Sequence, residues 1–323
     1  MRRYLAPMEG ITGYVFRGVY RSCFGGMDKY FAPFVSPNQT GKLGPRERRD
    51  LAPENNQGMY TVPQILTNSA EDFIRTARTL KSMGYGEVNL NLGCPSGTVV
   101  SKGRGAGFLA YPGKVDRCLY QIFSELDMKI SVKTRLGMRD PEEFWPLLDI
   151  YNKYHMEELI IHPRVREDYY KNTARMDAFE QAFVCSKNPL CYNGDIFRKA
   201  DMDKVEGRFE GLSAVMMGRG IVAYPGFLSG EDDPGRAKER LRQFHDCLYE
   251  ANCRVYLKEA GPKVVLFKMK EVWCYMIYAF KDGAKPGKRI KKARQIEEYL
   301  AAVTAIFREC QVVPGGNYRG AIS

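Results

Sequence analysis

Long hydrophobic segments are missing from this 323-residue sequence. No apolar run reaches the roughly 18–20 residues that a membrane-spanning helix requires. The N-terminal string MRRYLAPMEG holds two arginines near its start, but no long apolar stretch follows them as it would in a secretory signal. We therefore expect neither a membrane span nor a secretory signal, and the sequence favours a cytoplasmic protein.

Histidine is scarce, and cysteine lacks the spacing of a metal or redox motif. The three histidines, His155, His162 and His245, are not paired at metal-ligand spacing, which argues against a catalytic zinc site. The nine cysteines are odd in number, include no C-x-x-C pair and mostly have apolar neighbours. This usage is typical of a reducing compartment rather than of a disulfide framework.

A G-x-G-x-x-G turn after the first strand, which a doubly wound dinucleotide-binding sheet would carry, is also missing. Eight apolar runs rich in β-branched or aromatic residues instead alternate with helical spacing, as at 70–83 and 141–154. The runs lie at 3–8, 29–35, 60–66, 86–92, 129–134, 157–162, 189–193 and 213–217. This alternation predicts an α/β fold, a (β/α)8 TIM barrel at 1–235.

The pattern changes near residue 235, where helical spacing continues without strands. Helices are predicted at 236–257, 262–280 and 291–308, with a linker rich in Gly, Pro and Lys at 281–290. The sequence thus predicts a small C-terminal helical domain at 236–323. Since no long apolar seam or heptad pattern is present, a monomer is the expected state.

Positive charge is concentrated in this C-terminal part. The chain carries a net charge of +11, and residues 240–323 hold 16 Lys and Arg against 8 Asp and Glu, a surplus of eight. The run KPGKRIKKAR at 285–294 has six basic residues and no acidic one. A nucleic acid is the simplest polyanionic partner, and a solvated helical surface is the alternative.

Candidate site residues, most of them polar, follow the predicted strands at their C-terminal ends, where barrels of this type place their active sites. They are Pro7, Met8, Glu9, Gln64, Asn91, Cys94, Lys133, Arg135, His162, Arg164, Asn193, Gly194, Asp195, Gly218 and Arg219. The strings YNGDI at 192–196 and MGRGI at 217–221 follow strands seven and eight, a common phosphate-binding position in barrels. Turn formation alone would also explain these glycines.

Cys94 lies between Gly93 and Pro95, which predict a tight and exposed turn. The thiol could act as a nucleophile, but no histidine stands beside it in the sequence to activate it. A protonated thiol that acts as a general acid needs no such base. Proton donation is therefore the favoured chemistry.

These strings resemble the tRNA-dihydrouridine synthase family. The matching segments are LAPMEGIT at 5–12, QI at 64–65, NLNLGCPS at 89–96, VKTRLG at 132–137, HPRVREDYY at 162–170, NGDI at 193–196 and VMMGRG at 215–220. The combination of N-x-G-C-P with V-K-x-R-x-G is the most specific part. Pro163 is a departure, since the family usually has glycine between this histidine and arginine.

The resemblance implies a flavin mononucleotide (FMN)-containing barrel and an RNA-binding helical domain. In the family NADPH reduces the flavin, a hydride passes from flavin N5 to C6 of uracil, and a cysteine protonates C5 to give 5,6-dihydrouridine. The matching cysteine is Cys94. FMN contacts map onto Pro7, Met8, Glu9, Gln64, Lys133, His162, Asn193, Gly194, Asp195, Gly218 and Arg219.

Three further residues are candidates for contacts with the substrate. Asn91 matches a position near both flavin and uracil, while Arg135 and Arg164 are candidates for flavin or RNA contacts. A cation at Lys133 would stabilise negative charge on a reduced flavin ring. His162 could donate to that ring or to the phosphate, and a buried core histidine is the alternative reading.

Three functions are consistent with the sequence. The first is reduction of uridine in tRNA, or in another structured RNA. The second is an FMN-dependent reductase of a free pyrimidine or other small molecule, which does not explain the basic C-terminal region. The third is an RNA-binding flavoprotein without turnover, against which Cys94, Lys133 and His162 argue.

Overall fold

Parallel strands form the first of two structural units in the computed structural model, which describes residues 1–38 and 42–319. This unit comprises Met1–Pro7, Asp28–Asp195 and Val205–Met216. The strands of the described chain are β1 (Arg2–Leu5), β2 (Lys29–Phe31), β3 (Thr61–Val62), β4 (Gln64–Ile65), β5 (Glu87–Leu92), β6 (Lys129–Gly137), β7 (Glu158–Val165), β8 (Leu190–Tyr192) and β9 (Ala214–Met217).

The sheet nearly closes on itself. Its strand order is β3-β2-β1-β9-β8-β7-β6-β5-β4, so the two terminal strands are consecutive in the chain and are separated only by Pro63. Proline has no N–H to donate to a neighbouring strand, which interrupts the ladder at this point. A parallel bridge between Val35 and Ile65 joins the segment after β2 to β4. The predicted eight-stranded barrel is confirmed, with β3 and β4 together forming the strand expected at 60–66.

Alternate residues of the strands fill the barrel with side chains, as expected for a barrel of this size. Its apolar part is a buried cluster of Tyr4, Ala6, Phe31, Val62, Ile160, Cys191, Ala214 and Met216. The remaining interior positions are polar. They include the buried side chains of Glu87, Asn89, Ser131 and Glu158.

Helices connect the strands and make up most of the C-terminal part. They are α1 (Tyr14–Cys23), α2 (Pro45–Asp50), α3 (Ala70–Ser82), α4 (Gly97–Val100), α5 (Pro112–Glu125), α6 (Phe144–Tyr151), α7 (Met176–Cys185), α8 (Lys199–Arg208), α9 (Arg219–Ala223), α10 (Pro234–Ala260), α11 (Pro262–Met276), α12 (Ala284–Lys292) and α13 (Ile296–Glu309). None of the described helices is both long and apolar enough to cross a membrane.

The helix expected at 70–83 is confirmed as α3, whose N-terminus is capped as its sequence indicates. The Ser69 side chain accepts a hydrogen bond of 3.2 Å from the backbone N–H of Asp72. The helix expected at 141–154 begins as a 3-10 turn, Pro141–Glu143, and continues as α6. Proline suits this first position because the N–H of that residue would have no partner within the helix.

The second unit comprises Met8–Met27, Ile196–Lys204 and Met217–Ser323. A buried histidine links three of its helices. His245 of α10 lies 2.6 Å from the hydroxyl of Tyr299 in α13, and Trp273 of α11 donates to the same hydroxyl at 2.9 Å. Since the Tyr299 oxygen already accepts from Trp273, its own proton is available to Nε2 of His245, and burial lowers the pKa of that imidazole.

The predicted linker at 281–290 is wrong, because α12 occupies most of it. Pro286 stands in the first turn, where it costs no intrahelical hydrogen bond, and Ile290 is buried. A Cβ on Gly287 would lie 2.8 Å from a side-chain carbon of Ile277, so glycine permits close packing here. Tertiary contacts thus outweigh the low helix propensity, and the helix predicted from 291 begins only at Ile296.

The functional division at residue 235, with a barrel at 1–235 and an RNA-binding helical domain at 236–323, stays a prediction. Residues 320–323 of the predicted helical domain lie outside the described residues. Of the two units, the second contains all four long C-terminal helices α10 to α13, together with α1.

Three glutamates surround one buried lysine in the barrel unit. Nζ of Lys29 lies 2.8 Å from Glu87, 3.3 Å from Glu158 and 3.4 Å from Glu157. Burial alone would lower the pKa of Lys29, but the three carboxylates together raise it. Tyr4 donates a short hydrogen bond to Glu158. A buried carboxylate without its cation would be strongly unfavourable, so the cluster depends on Lys29.

We expect Lys29→Met to lower the free energy of unfolding by about 3 kcal/mol, because it leaves the buried carboxylate of Glu87 without a cation, whereas Glu158 keeps its pair with Arg2. Urea titration followed by circular dichroism measures this change. Lys129→Met is the matched control, since Lys129 pairs with Glu157 at 3.2 Å but is largely exposed. Its effect should stay below about 1 kcal/mol. Equal losses in the two variants would contradict the assigned role of Lys29.

Candidate active site

The turn that carries Cys94 is held by the side chain of Asn91. Oδ1 of Asn91 accepts from the backbone N–H of Gly93 at 3.0 Å and from that of Cys94 at 2.9 Å. Asn91 is buried near the end of β5, whereas Cys94 is half-buried. One amide oxygen therefore fixes the backbone of the turn at the C-terminal end of the strand.

The segment around residue 105 packs directly against this turn. The Cys94 carbonyl accepts from the backbone N–H of Ala106 at 3.0 Å. Gly105 has a φ of +55°, and a Cβ there would lie 2.8 Å from the Cys94 carbonyl oxygen. Glycine is therefore required by both the backbone conformation and the close approach.

Arg135 clamps three backbone segments together. Its Nε donates to the carbonyl of Gly93 at 2.9 Å, and its terminal nitrogens donate to the carbonyls of Val165 and Tyr169 at 3.0 Å. The side chain is buried, and burial lowers the pKa of its guanidinium. Most of its donors are thus engaged by the protein itself, and a contact of Arg135 with substrate stays a prediction.

His162, Arg164 and Asp195 form a second group. Arg164 binds both carboxylate oxygens of Asp195, at 2.9 and 2.6 Å, and its Nη1 lies 3.0 Å from Nε2 of His162. A guanidinium only donates hydrogen bonds, so Nε2 of His162 is the acceptor and the ring proton lies on Nδ1.

Tyr170 lies between the Arg135 clamp and the His162 group. Its ring centroid is 5.9 Å from that of His162 and 5.3 Å from the guanidinium carbon of Arg135. Tyr170 as a whole is 45% accessible to solvent. An aromatic ring over a guanidinium and an imidazole fixes the orientation of both groups.

Lys133 is the register partner of Asn91 in the neighbouring strand. Burial, and secondarily the charge of Arg135, lowers the pKa of Lys133 to about 8. In the protein without ligand the ammonium therefore loses its proton much more readily than an ordinary lysine. A nearby anionic group would raise this pKa again, so Lys133 is suited to stabilise the negative charge of a bound group.

Asn193 and Gly194 follow β8 in the barrel unit. The Asn193 side chain donates to the Met216 carbonyl at 2.8 Å, and its backbone N–H donates to Ile161 at 3.0 Å. A Cβ on Gly194 would lie 2.1 Å from the Tyr192 hydroxyl oxygen, so no larger residue fits. These contacts fix the backbone that precedes Asp195.

The remaining predicted residues follow β1 and β9 in the chain. Pro7 ends the first segment of the barrel unit, while Met8, Glu9, Gly218 and Arg219 belong to the second unit. Within that unit, Thr12 accepts from the backbone N–H of Met8 at 2.7 Å. The Arg219 guanidinium lies 5.3 Å from the Phe197 ring centroid.

Two polar interior residues and one aromatic residue were not predicted from the sequence. Asn89 and Ser131 are fully buried, and they are hydrogen-bonded to each other at 2.9 Å. Their signal was present: Asn89 and Asn91 alternate with leucines in NLNL, which places both amides on one face of the strand. Tyr170 lay within a quoted string, but nothing in its spacing indicated the contacts of its ring.

All nine cysteines are free thiols, and Cys185 differs from the others in being exposed. Across residues 1–38 and 42–319, no three His, Cys, Asp or Glu side chains are grouped so that they could hold a metal ion. In the barrel unit, the predicted site residues offer amides, one ammonium, one imidazole and two guanidinium groups. Such a set suits an organic ligand that carries carbonyl oxygens and negative charge.

Named relatives match most of the chain. A tRNA-dihydrouridine(16) synthase from Cupriavidus necator is 29% identical over 290 residues, covering 84% of this chain and 89% of that protein. A probable tRNA-dihydrouridine synthase from Staphylococcus aureus strain COL is 31% identical over 247 residues, covering 73% of each chain.

A solved histamine dehydrogenase from Rhizobium sp. 4-9 shares the fold at 11% identity, with a TM-score of 0.56 over 87% of this chain and 51% of that one. This likeness concerns the fold alone. The family model for dihydrouridine synthase (Dus) matches residues 4–311, which spans the barrel strands and the C-terminal helices. The chain therefore belongs to the dihydrouridine synthase family.

Proposed function

We propose that the protein reduces uridine in tRNA to 5,6-dihydrouridine, with FMN as its cofactor and Cys94 as the proton donor. The observation that carries the proposal is the Cys94 turn, which Asn91 holds at the end of β5 in a chain of the dihydrouridine synthase family. The curated relatives named above support tRNA as the substrate.

The donors of the barrel unit fit a flavin. Gln64, Lys133 and His162 offer an amide, an ammonium and an imidazole, which suit the carbonyl and nitrogen atoms of the ring system. Asn193, Gly194 and Asp195 would hold other parts of the cofactor, as would Pro7. In the second unit, Met8, Glu9, Gly218 and Arg219 are the corresponding candidates. When bound, FMN would supply the hydride that reduces the uracil ring, and we propose NADPH as the electron donor.

Cys94 would complete the reduction. Saturation of the C5–C6 double bond requires a hydride at C6 and a proton at C5. The Cys94 thiol would supply that proton and become a thiolate. Asn91 and Arg135 fix the turn on both sides of Gly93, which limits the motion of the thiol relative to a bound base. A uracil of folded RNA must leave its base stack to reach such a site.

The basic helix α12 supports a polyanionic substrate. Lys285, Lys288, Arg289, Lys291 and Lys292 are all exposed in this helix. Exposed Lys and Arg side chains on one helix can neutralise successive phosphates and release their counterions. We propose that α12 contacts the tRNA backbone, and a reductase of free pyrimidines would have no use for such a surface.

Cys94→Ala should retain FMN and lose dihydrouridine formation by at least about 100-fold, the typical contribution of a positioned general acid. Flavin absorbance of the purified protein and mass spectrometry of unmodified tRNA after incubation with NADPH measure the two properties. Cys185→Ala is the control, because Cys185 is a free and exposed thiol. Full activity of Cys94→Ala would overturn the role of the thiol.

Replacing Lys288, Lys291 and Lys292 together by alanine should weaken tRNA binding and lower the salt slope by up to about 3, since each phosphate contact contributes about 0.9. Titration of fluorescent tRNA at several salt concentrations measures both quantities. The control removes three other exposed lysines, Lys187, Lys199 and Lys204. Equal effects of the two triple variants would contradict a specific role of α12.

The position of the reduced uridine can be measured in cells that lack the gene. Two relatives are named for position 16 of tRNA, from Cupriavidus necator and from Ralstonia nicotianae. We therefore expect dihydrouridine to disappear at position 16, as measured by mapping the modification along each tRNA. Loss at another position would reassign the substrate, and no loss at any tRNA position would favour another RNA or a free pyrimidine.

A further inference from the structure

A continuous chain of buried hydrogen bonds leads from the charged cluster around Lys29 to the Cys94 turn. We name it the amide relay, and its members are Glu87, Ser131, Asn89, Gln64 and Asn91. All five are at most 6% exposed. The proposed function gives a role only to its last two residues, Gln64 and Asn91.

The lower half of the relay begins at a carboxylate. Ser131 donates to Oε1 of Glu87 at 3.1 Å, and Asn89 donates to the Ser131 oxygen at 2.9 Å. The other oxygen of Glu87 accepts from Lys29 at 2.8 Å and from Tyr60 at 3.1 Å. Burial raises the pKa of Tyr60, so its hydroxyl keeps its proton and donates. Burial raises the pKa of Glu87, and the Lys29 ammonium at 2.8 Å opposes this shift. The carboxylate paired with Lys29 is surrounded by donors and acts as an acceptor only.

The upper half ends at two backbone donors. Gln64 donates to Oδ1 of Asn89 at 2.8 Å, and Asn91 donates to Oε1 of Gln64 at 2.7 Å. Oδ1 of Asn91 then accepts from the N–H groups of Gly93 and Cys94. A backbone N–H can only donate, so the Asn91 amide must present its oxygen to the turn.

The two ends of the relay demand the same direction. Because Ser131 has a single proton and gives it to Glu87, it must accept from the NH2 group of Asn89. That orientation turns the Asn89 oxygen toward Gln64, and the Gln64 oxygen toward Asn91. A reversed amide anywhere along this path would set two donors or two acceptors face to face in a buried site, which is unfavourable.

We propose that Glu87, Ser131 and Asn89 are positioning residues, which fix the amide orientations of Gln64 and Asn91 and thereby hold the Cys94 turn for proton transfer. This inference rests on the function proposed above. The three residues touch neither cofactor nor uracil in this scheme, and act only through the two amides. Their loss should therefore change the rate of the reaction and the behaviour of the thiol more than it changes the binding of tRNA.

Ser131→Ala tests the proposal, because it removes the hydroxyl that joins the amides to Glu87 and little else. We expect kcat to fall about 10-fold, the cost of a small misplacement of a reacting group, with an unchanged KM for tRNA and unchanged flavin content. Alkylation of Cys94 by iodoacetamide, followed by peptide mass spectrometry on the flavin-loaded enzyme without tRNA, should become several times faster.

Glu87→Gln is a second variant, and it leaves the Ser131 hydroxyl in place. Lys29 attracts the amide oxygen, so the new NH2 group faces Ser131 and opposes the direction of the relay. We expect the same fall in kcat and the same faster alkylation of Cys94. Should Ser131→Ala not fold, this variant decides alone, since it is nearly isosteric with the native side chain.

Two controls separate positioning from stability. Thr61→Val removes another buried hydroxyl, whose partner Asn56 lies outside the relay at 3.2 Å. Leu119→Ala destabilises the barrel unit by removing a fully buried side chain of α5. Both should keep the wild-type kcat and alkylation rate at a temperature where they are folded. If the relay residues had a merely structural role, kcat and the alkylation rate of all variants would instead follow their Tm.

Failure of the relay and failure of the proposed function would give different results. Wild-type kcat and alkylation rate in Ser131→Ala, or in Glu87→Gln if the first does not fold, would overturn the relay. A wild-type enzyme that forms no dihydrouridine would overturn the proposed function. The alkylation assay would still decide whether the relay holds the Cys94 turn, because it needs no substrate.

Discussion

Closure of the sheet around Pro63 is the constraint on which the rest of the barrel unit depends. β3 and β4 are the two ends of the strand order, and the missing N–H of proline separates them. Once the ring of strands is closed, alternate side chains must fill its interior, and residues at successive strand ends must meet. The Asn91 turn and the Arg164–Asp195 pair both follow from this geometry.

A closed barrel with a polar interior raises a second requirement. Buried amides and carboxylates are tolerated only when each donor faces an acceptor, so the interior must be connected throughout. Lys29 pairs with the buried carboxylate of Glu87, and the amides of β4 and β5 continue the hydrogen bonds toward Cys94. The stability of the barrel interior and the position of the Cys94 turn thus depend on the same set of hydrogen bonds.

The strands and the polar residues at their ends could be predicted because both follow short periodic patterns. Asn91, Lys133 and His162 each end a recognisable apolar run. α12 could not be predicted, since its proline and glycines suggest a linker and its stability comes from packing against Ile277. The contacts of Tyr170 were equally inaccessible, because no periodic pattern indicates which side chains the ring of a loop residue will contact.

Arg135 shows why residue type and position do not by themselves assign a role. An arginine at a strand end in a barrel mouth is typical of an anion contact. Here Gly93, Val165 and Tyr169 accept its hydrogen bonds, and a guanidinium has only five N–H groups to donate. An N–H group that holds the turn before Cys94 is not available to bind a ligand. Lys133, whose pKa is lowered by burial, is therefore better suited than Arg135 to respond to a negative charge.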